Sequence, residues 1–226
     1  KRAQEQGYAE KNFKFDTQGI DASQKLAILI SLAYGVGPSV KGILTEGIDQ
    51  IRMVDIQFAR EFGYVIKPLA IAKERNGKIE ARVHPTLIPV GHPLADVGGV
   101  FNAVFLKGNA VGETMFLGRG AGRMPTASAV VADIVRIALS NHSKNVAPLA
   151  LEKVEYLPIE ELVSEYYLRF SVVDRPGILA QISKHLGDNG VSIASVEQPG
   201  LNTAKASVVV MTHQAQERDL RRAVSA

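Results

Sequence analysis

The chain contains no cysteine and no tryptophan. The first absence removes disulfides, thiolate metal sites and cysteine nucleophiles, and it fits a reducing compartment. The second, with aromatics at 6% of residues, argues against a surface on which nucleic-acid bases stack. No block of Lys and Arg is present, and the formal net charge of +3 is spread along the chain. A nucleic-acid partner is therefore not expected. No apolar run is long enough to span a bilayer, so no membrane partner is expected either. What is present is a hydrophobic fraction of 46% over 226 residues. That supports one large domain or two smaller ones.

The chain starts without an initiator Met and already inside a charged motif, so it reads as the back part of a longer protein. Glu10, Asp16, Asp21 and Lys25 come before or at the start of the apolar run Leu26, Ile28, Leu29, Ile30, Leu32 and Ala33. Asp21 suits an N-cap or first helical turn. The run is apolar nearly all round, which predicts a core helix ending at Gly35, Gly37 and Pro38. Asp21 and Lys25 are four apart and share a helical face. Alone, they would be an ordinary surface ion pair contributing a few tenths of a kcal/mol. Beside a buried helix and two further acids, a lysine is better placed to move a proton, because burial and nearby charge tune an amine's pKa.

A short helix is predicted from Asp55 to Phe62, stopped by Gly63. Strands are predicted from Val65 to Ala72 and from Ile79 to His84, joined by the Asn76-Gly77 turn. Ile79 to His84 alternates like a strand with one buried face. A second hairpin spans Val100 to Phe116. Gly118 to Gly122 leads into a helix with Pro125 in its first turn and a broad apolar face. The fold class is α+β, a mostly antiparallel sheet with helices on one face. Residues 1–145 form the first unit, 146–164 a linker and 165–226 a small βαββα module that lacks one last strand. In that module Asp174 ends a strand and caps a helix that begins near Pro176. Gly177 leaves the backbone open to an anion at the helix start.

The spacing Ala3, Gly7-Tyr8-Ala9, Asn12, Asp16, Gly19, Asp21, Lys25 resembles the homoserine dehydrogenase signature. Phe13 stands where that family usually has Pro, and Thr17 where it has an aliphatic residue. Glu46-Gly47-Ile48, Asp55, His84-Pro85, Asn102-Ala103-Val104 and Gly118-Arg119-Gly120-Ala121-Gly122 extend the likeness to about residue 145. Tyr167 to Leu179 and Asn189 to Ile193 resemble an ACT domain, a regulatory module that binds amino acids.

The resemblance implies an NAD(P)-dependent oxidoreductase that interconverts homoserine and aspartate semialdehyde in threonine and methionine biosynthesis. It implies a cytoplasmic homodimer or homotetramer that pairs through the sheet of residues 65–117. Lys25 and Asp21 would be catalytic, while Tyr8, Glu10, Asp16, Asp21 and Lys25 would bind substrate. Gly118, Gly120, Ala121 and Gly122 would close on NADP or NAD, held mainly by a domain upstream of this chain. Asp174, Pro176, Gly177 and Ile178 would bind an effector, threonine being the one expected. No metal site is expected, since His84 and His92 make no ligand set. The alternative is an amino-acid sensor whose first unit is a non-catalytic dimerisation platform. Such a sensor has no need of Glu10, Asp16, Asp21 and Lys25 together.

Overall fold

A computed structural model describes residues 14–139, 151–173, 175–198 and 205–225. Tyr8, Glu10 and Asp174, all expected to bind ligands, lie outside the described residues. The fold is mixed α+β.

A four-residue helix α1 (Lys14–Thr17) turns through Gly19 into α2 (Ile20–Tyr34). Gly35 ends α2 in the left-handed region at φ 68°, its N–H donating to the Ser31 carbonyl at 3.0 Å. The chain then makes a short strand β1 (Leu44–Thr45), helix α3 (Met53–Glu61) and the long hairpin β2 (Tyr64–Arg75) and β3 (Lys78–Pro89). Asn76 and Gly77, with φ of 53° and 80°, form the tight turn that the Asn-Gly pair predicts. The strand order is β1-β3-β2, with β1 parallel to β3 and β2 antiparallel to it.

Alternate residues of β3 serve two different interiors. Ile79, Ala81 and Val83 pack with Leu26, Ala27 and Ile30 of α2. On the opposite face Glu80 has no exposed side-chain surface and lies between Arg75 at 2.9 Å and Arg82 at 2.5 Å. The one-faced strand expected here is therefore buried on both faces, with Glu80 and Arg82 both buried on its charged side. Burying a carboxylate is tolerable when two guanidinium groups flank it.

Helix α2 also departs from expectation. It buries Ser23, Leu26, Ala27 and Ile30 but leaves Ile28, Leu29 and Leu32 exposed. It covers the sheet with one face and is not a core helix on all sides.

The second hairpin, β4 (Phe101–Gly108) and β5 (Gly112–Arg119), pairs with no other strand among the described residues. The two hairpins thus form two sheets and not the single sheet expected. The stretch between them carries a 3-10 turn at Pro93–Asp96 and Gly99 at φ 64°. Helix α4 (Arg123–Leu139) follows, and none of its side chains is buried. Phe116, Leu117, Val130, Val131 and Ile134 are all exposed.

Residues 151–157 return to the first sheet. Gly37 donates to the Glu152 carbonyl at 2.8 Å, and Ile79 exchanges hydrogen bonds with Glu155 and Leu157 at 2.9 Å each. The Tyr156 hydroxyl donates to the Ser39 carbonyl at 2.6 Å.

The C-terminal module has β6 (Val163–Ser164), β7 (Tyr167–Val173), α5 (Ile178–Asp188), β8 (Ile193–Glu197), β9 (Lys205–Thr212), β10 (Ala215–Gln216) and α6 (Glu217–Ser225). Its antiparallel sheet runs β7-β9-β8. Leu186, Val191, Val208, Val210, Leu220 and Ala223 form its core. The β7-α5-β8-β9-α6 order matches the expected βαββα pattern. Helix α5 begins at Ile178 behind an N-cap Gly177, two residues later than the start near Pro176 that the sequence suggests.

Candidate functional site

Two glycines shape the entry to α2. Gly19, at φ 75°, is buried, and a Cβ there would stand 3.0 Å from Val83 Cγ1 and 3.3 Å from Thr45 Cγ2. Gly47 presses from the other side, where a Cβ would lie 2.5 Å from the Thr17 carbonyl oxygen and 2.7 Å from Gln18 Cα. Ile48 N–H donates to that same carbonyl at 2.8 Å. The α1–α2 corner is therefore clamped between the sheet and the loop after β1. Among the described residues Thr17 Oγ1 is buried there without a hydrogen-bond partner.

From this corner Asp21 and Lys25 project outward. Lys25 Nζ donates to Asp21 Oδ2 at 2.6 Å. Their side chains are 62% and 39% exposed for Lys25 and Asp21 respectively, so the pair is more open than a buried-helix reading suggests. Asp16, on α1, is also exposed, and its carbonyl accepts from Gly19 N–H at 3.2 Å. Ile28, Leu29 and Leu32 continue the Asp21–Lys25 face of α2 as an exposed apolar stripe.

The glycine loop lies at the end of β5. A Cβ on Gly120 would fall 1.9 Å from Asn102 Nδ2, so no side chain fits there beside Asn102 as it is placed. Gly120 N–H donates to the Val100 carbonyl at 3.1 Å, and Gly122, at φ 124°, opens α4 through the Thr126 N–H at 3.1 Å. Gly118, Gly120, Ala121 and Gly122 form a turn at a helix start, without the G-x-G-x-x-G geometry of a main dinucleotide site. Arg119 stacks on the Phe101 ring at 5.7 Å. Among the described residues, no hydrogen bond joins this turn to Asp21 or Lys25.

In the C-terminal module Gly177 takes φ 89°, and no described residue beyond its chain neighbours lies within 4 Å of where a Cβ would stand. Pro176 is exposed and Ile178 half-buried.

One polar contact between the two units was not anticipated. Asp55, buried in the first turn of α3, accepts from Tyr167 Oη at 2.8 Å and Arg169 Nε at 2.6 Å, both on β7. Its other oxygen accepts from Arg52 N–H at 2.8 Å. Burial pushes the Asp55 carboxyl up, but the bonds from Arg169, Arg52 and Tyr167 outweigh it and hold it below the ordinary carboxylate range. Burial and the Asp55 bond push the Tyr167 phenol well up, so it stays a donor. A depressed carboxyl adds stability above its unfolded pKa and loses it as pH falls through the folded one. Wild-type stability should therefore drop on acidification below about pH 4. In Asp55→Asn that part of the acid slope should vanish, as urea midpoints measured along a pH series would show.

Nearby, a cleft of about 600 Å³ runs between the charged face of β3 and the C-terminal module, lined by Arg82, His84, Tyr166 and Glu217 among others. Burial lowers the His84 pKa, and its Nδ1 lies 2.7 Å from the Pro85 carbonyl. Lys67 is not free in solvent but donates to the Val97 carbonyl. Among the described residues no group of three His, Asp or Glu could hold a metal ion. No helix among them is long and apolar enough to cross a membrane.

Comparison with known proteins follows the same two units. The homoserine dehydrogenase family model matches residues 1–135, and the ACT domain model matches residues 166–226. The homoserine dehydrogenase of Helicobacter pylori is 45% identical over 221 residues, covering 97% of this chain and 52% of that protein. That of Synechocystis is 42% identical over 234 residues, covering 98% and 54% respectively. A crystal structure of a homoserine dehydrogenase from Thiobacillus denitrificans superposes with a TM-score of 0.87 at 41% identity, covering 99% of this chain and 53% of that one. The chain spans about half the length of the curated relatives it matches.

Proposed function

The chain belongs to the homoserine dehydrogenase family and carries an ACT domain, and on that premise we propose that it forms the substrate side and regulatory end of an enzyme that interconverts homoserine and aspartate semialdehyde. The observation that carries this reading is the Asp21–Lys25 pair, 2.6 Å apart at the clamped start of α2. A surface pair chosen for stability alone needs no such clamp.

Homoserine has an ammonium at one end and a hydroxyl at the other. Asp16 and Asp21, with Glu10, offer carboxylates to the ammonium. Lys25 takes the hydroxyl proton in its neutral form and returns it to the carbonyl oxygen in its protonated form. Asp21 orients the ammonium group of Lys25 and balances its charge. A nicotinamide cofactor, NAD or NADP, supplies the hydride acceptor in one direction and the donor in the other. The turn at Gly118, Gly120, Ala121 and Gly122 fits one end of such a cofactor, because it exposes backbone at a helix start. The exposed faces of α4 and of the β4–β5 hairpin suit the cofactor domain and a second copy of the chain.

The test is an assay of the intact protein with homoserine and either oxidised nicotinamide, following absorbance of the reduced form. No reduction with either cofactor would leave the amino-acid sensor as the better reading. For regulation, threonine is the first effector to try, at the α5 start. Gly177→Asp places a carboxylate and a strained backbone there. It should raise the threonine concentration for half-inhibition about 5-fold or more. An inhibition curve identical to wild type would remove Gly177 from the effector site.

A further inference from the structure

The junction at Asp55 sits at one end of a short chain of contacts that reaches the substrate side. Tyr167 Oη and Arg169 Nε hold Asp55 Oδ1 at 2.8 and 2.6 Å. Asp55 Oδ2 in turn holds Arg52 N–H at 2.8 Å, where the loop from β1 enters α3. That loop folds on itself through Ile51 N–H to the Ile48 carbonyl at 3.1 Å. Ile48 N–H then grips the Thr17 carbonyl at 2.8 Å, and Gly47 lies flat against Thr17 and Gln18. Two residues further on, Gly19 sets the start of α2 and hence the placement of Asp21 and Lys25. The loop is thus pinned at both ends, by Asp55 and by Thr17, and covers a short span between them.

We propose that Asp55 is a positioning residue for the substrate acids, held by Tyr167 and Arg169 so that the ACT domain acts on substrate affinity through the loop of residues 46–52. This rests on the reading of Asp16, Asp21 and Lys25 as the homoserine site. Neither Tyr167 nor Arg169 touches that site. Besides Asp55, Arg169 has a long contact to Ser171 Oγ at 3.5 Å on its own strand. β7 continues from Arg169 to Val173 and leads toward Gly177, so a ligand at the α5 start would act on the same strand that holds Asp55. Coupling of this kind requires that the two ends bias one element, here the loop.

Tyr167→Phe and Arg169→Gln in the intact protein test the idea in two ways. Each should raise the KM for homoserine about 5- to 50-fold while the KM for the cofactor stays within about twofold. Asp55→Asn combined with Arg169→Gln should do no more than the larger single change, since both remove one interaction. Independently of any assay, amide exchange at Ile48 should quicken in Arg169→Gln while Val209 and Val210, inside the ACT sheet, stay protected. Unchanged Ile48 exchange, or equal rises in both KM values with a lowered melting temperature, would overturn the proposal and leave Asp55 as structural glue. The exchange result decides the coupling even in a protein that does not oxidise homoserine, so failure of the substrate reading would be seen separately. Should Arg169→Gln fail to fold, Tyr167→Phe removes a single donor, keeps the ring and carries the same expectations.

Discussion

Lys25→Ala should lower kcat for homoserine oxidation in the intact protein by about 10²- to 10⁴-fold, the usual contribution of a positioned acid–base group. The same change should hardly affect stability. Lys25 and Asp21 are 62% and 39% exposed, and an exposed pair four residues apart on a helix contributes about 0.3–0.5 kcal/mol. Over a chain of this size that is about one or two degrees in melting temperature. Steady-state kinetics beside a thermal melt would separate the two effects. A kcat within tenfold of wild type would remove Lys25 from the proton path. A collapse of the fold would contradict the exposed position of the pair.

The second large effect is expected at a residue with no side chain. Gly47→Ala would bring a methyl to 2.5 Å from the Thr17 carbonyl oxygen and 2.7 Å from Gln18 Cα. Both neighbours are backbone, so no rotamer change can relieve the clash. Either the loop or the α1–α2 corner must move, and the corner carries Asp21. A displacement near 1 Å at a catalytic constellation can cost on the order of 10²-fold in rate. Gly47→Ala should therefore depress kcat/KM for homoserine to about that extent. Gly63→Ala makes a useful comparison, because nothing lies within 4 Å of its Cβ position, although its φ of 77° adds some strain. Equal kinetics for wild type and Gly47→Ala would show that the corner tolerates displacement.

Much of this arrangement could be read from local pattern. The Asn76-Gly77 turn, the strands on either side of it and the Asp21–Lys25 pairing all depend on residues within a few positions of one another. The order of elements in the C-terminal module was legible for the same reason. What could not be read depends on residues far apart in the chain. Asp55 and Arg169 are separated by 114 positions, and each alone has the ordinary look of a first-turn acid or a strand arginine. The burial of Glu80 was hidden because alternation along β3 reports how polar each face is, not whether the folded chain leaves it open to water. The apolar face of α4 was read correctly as apolar, but a hydrophobic pattern names no partner, and among the described residues Val130, Val131 and Ile134 stay exposed. The number of sheets was missed because strand spacing does not say which edges meet.

The return of residues 151–157 to the first sheet has a consequence for reach. With Tyr156 fastened to Ser39 and Glu152 to Gly37, the tether of the ACT domain is not the whole stretch after α4. It is residues 158–162, between the Leu157 bond to Ile79 and the buried Leu162. At about 3.3–3.6 Å per residue, such a leash spans less than about 18 Å even when fully drawn out. A module on so short a leash has a high effective concentration at its own docking face. If the Asp55 contact opens, the module stays close, and reclosure is a small local movement and not a search.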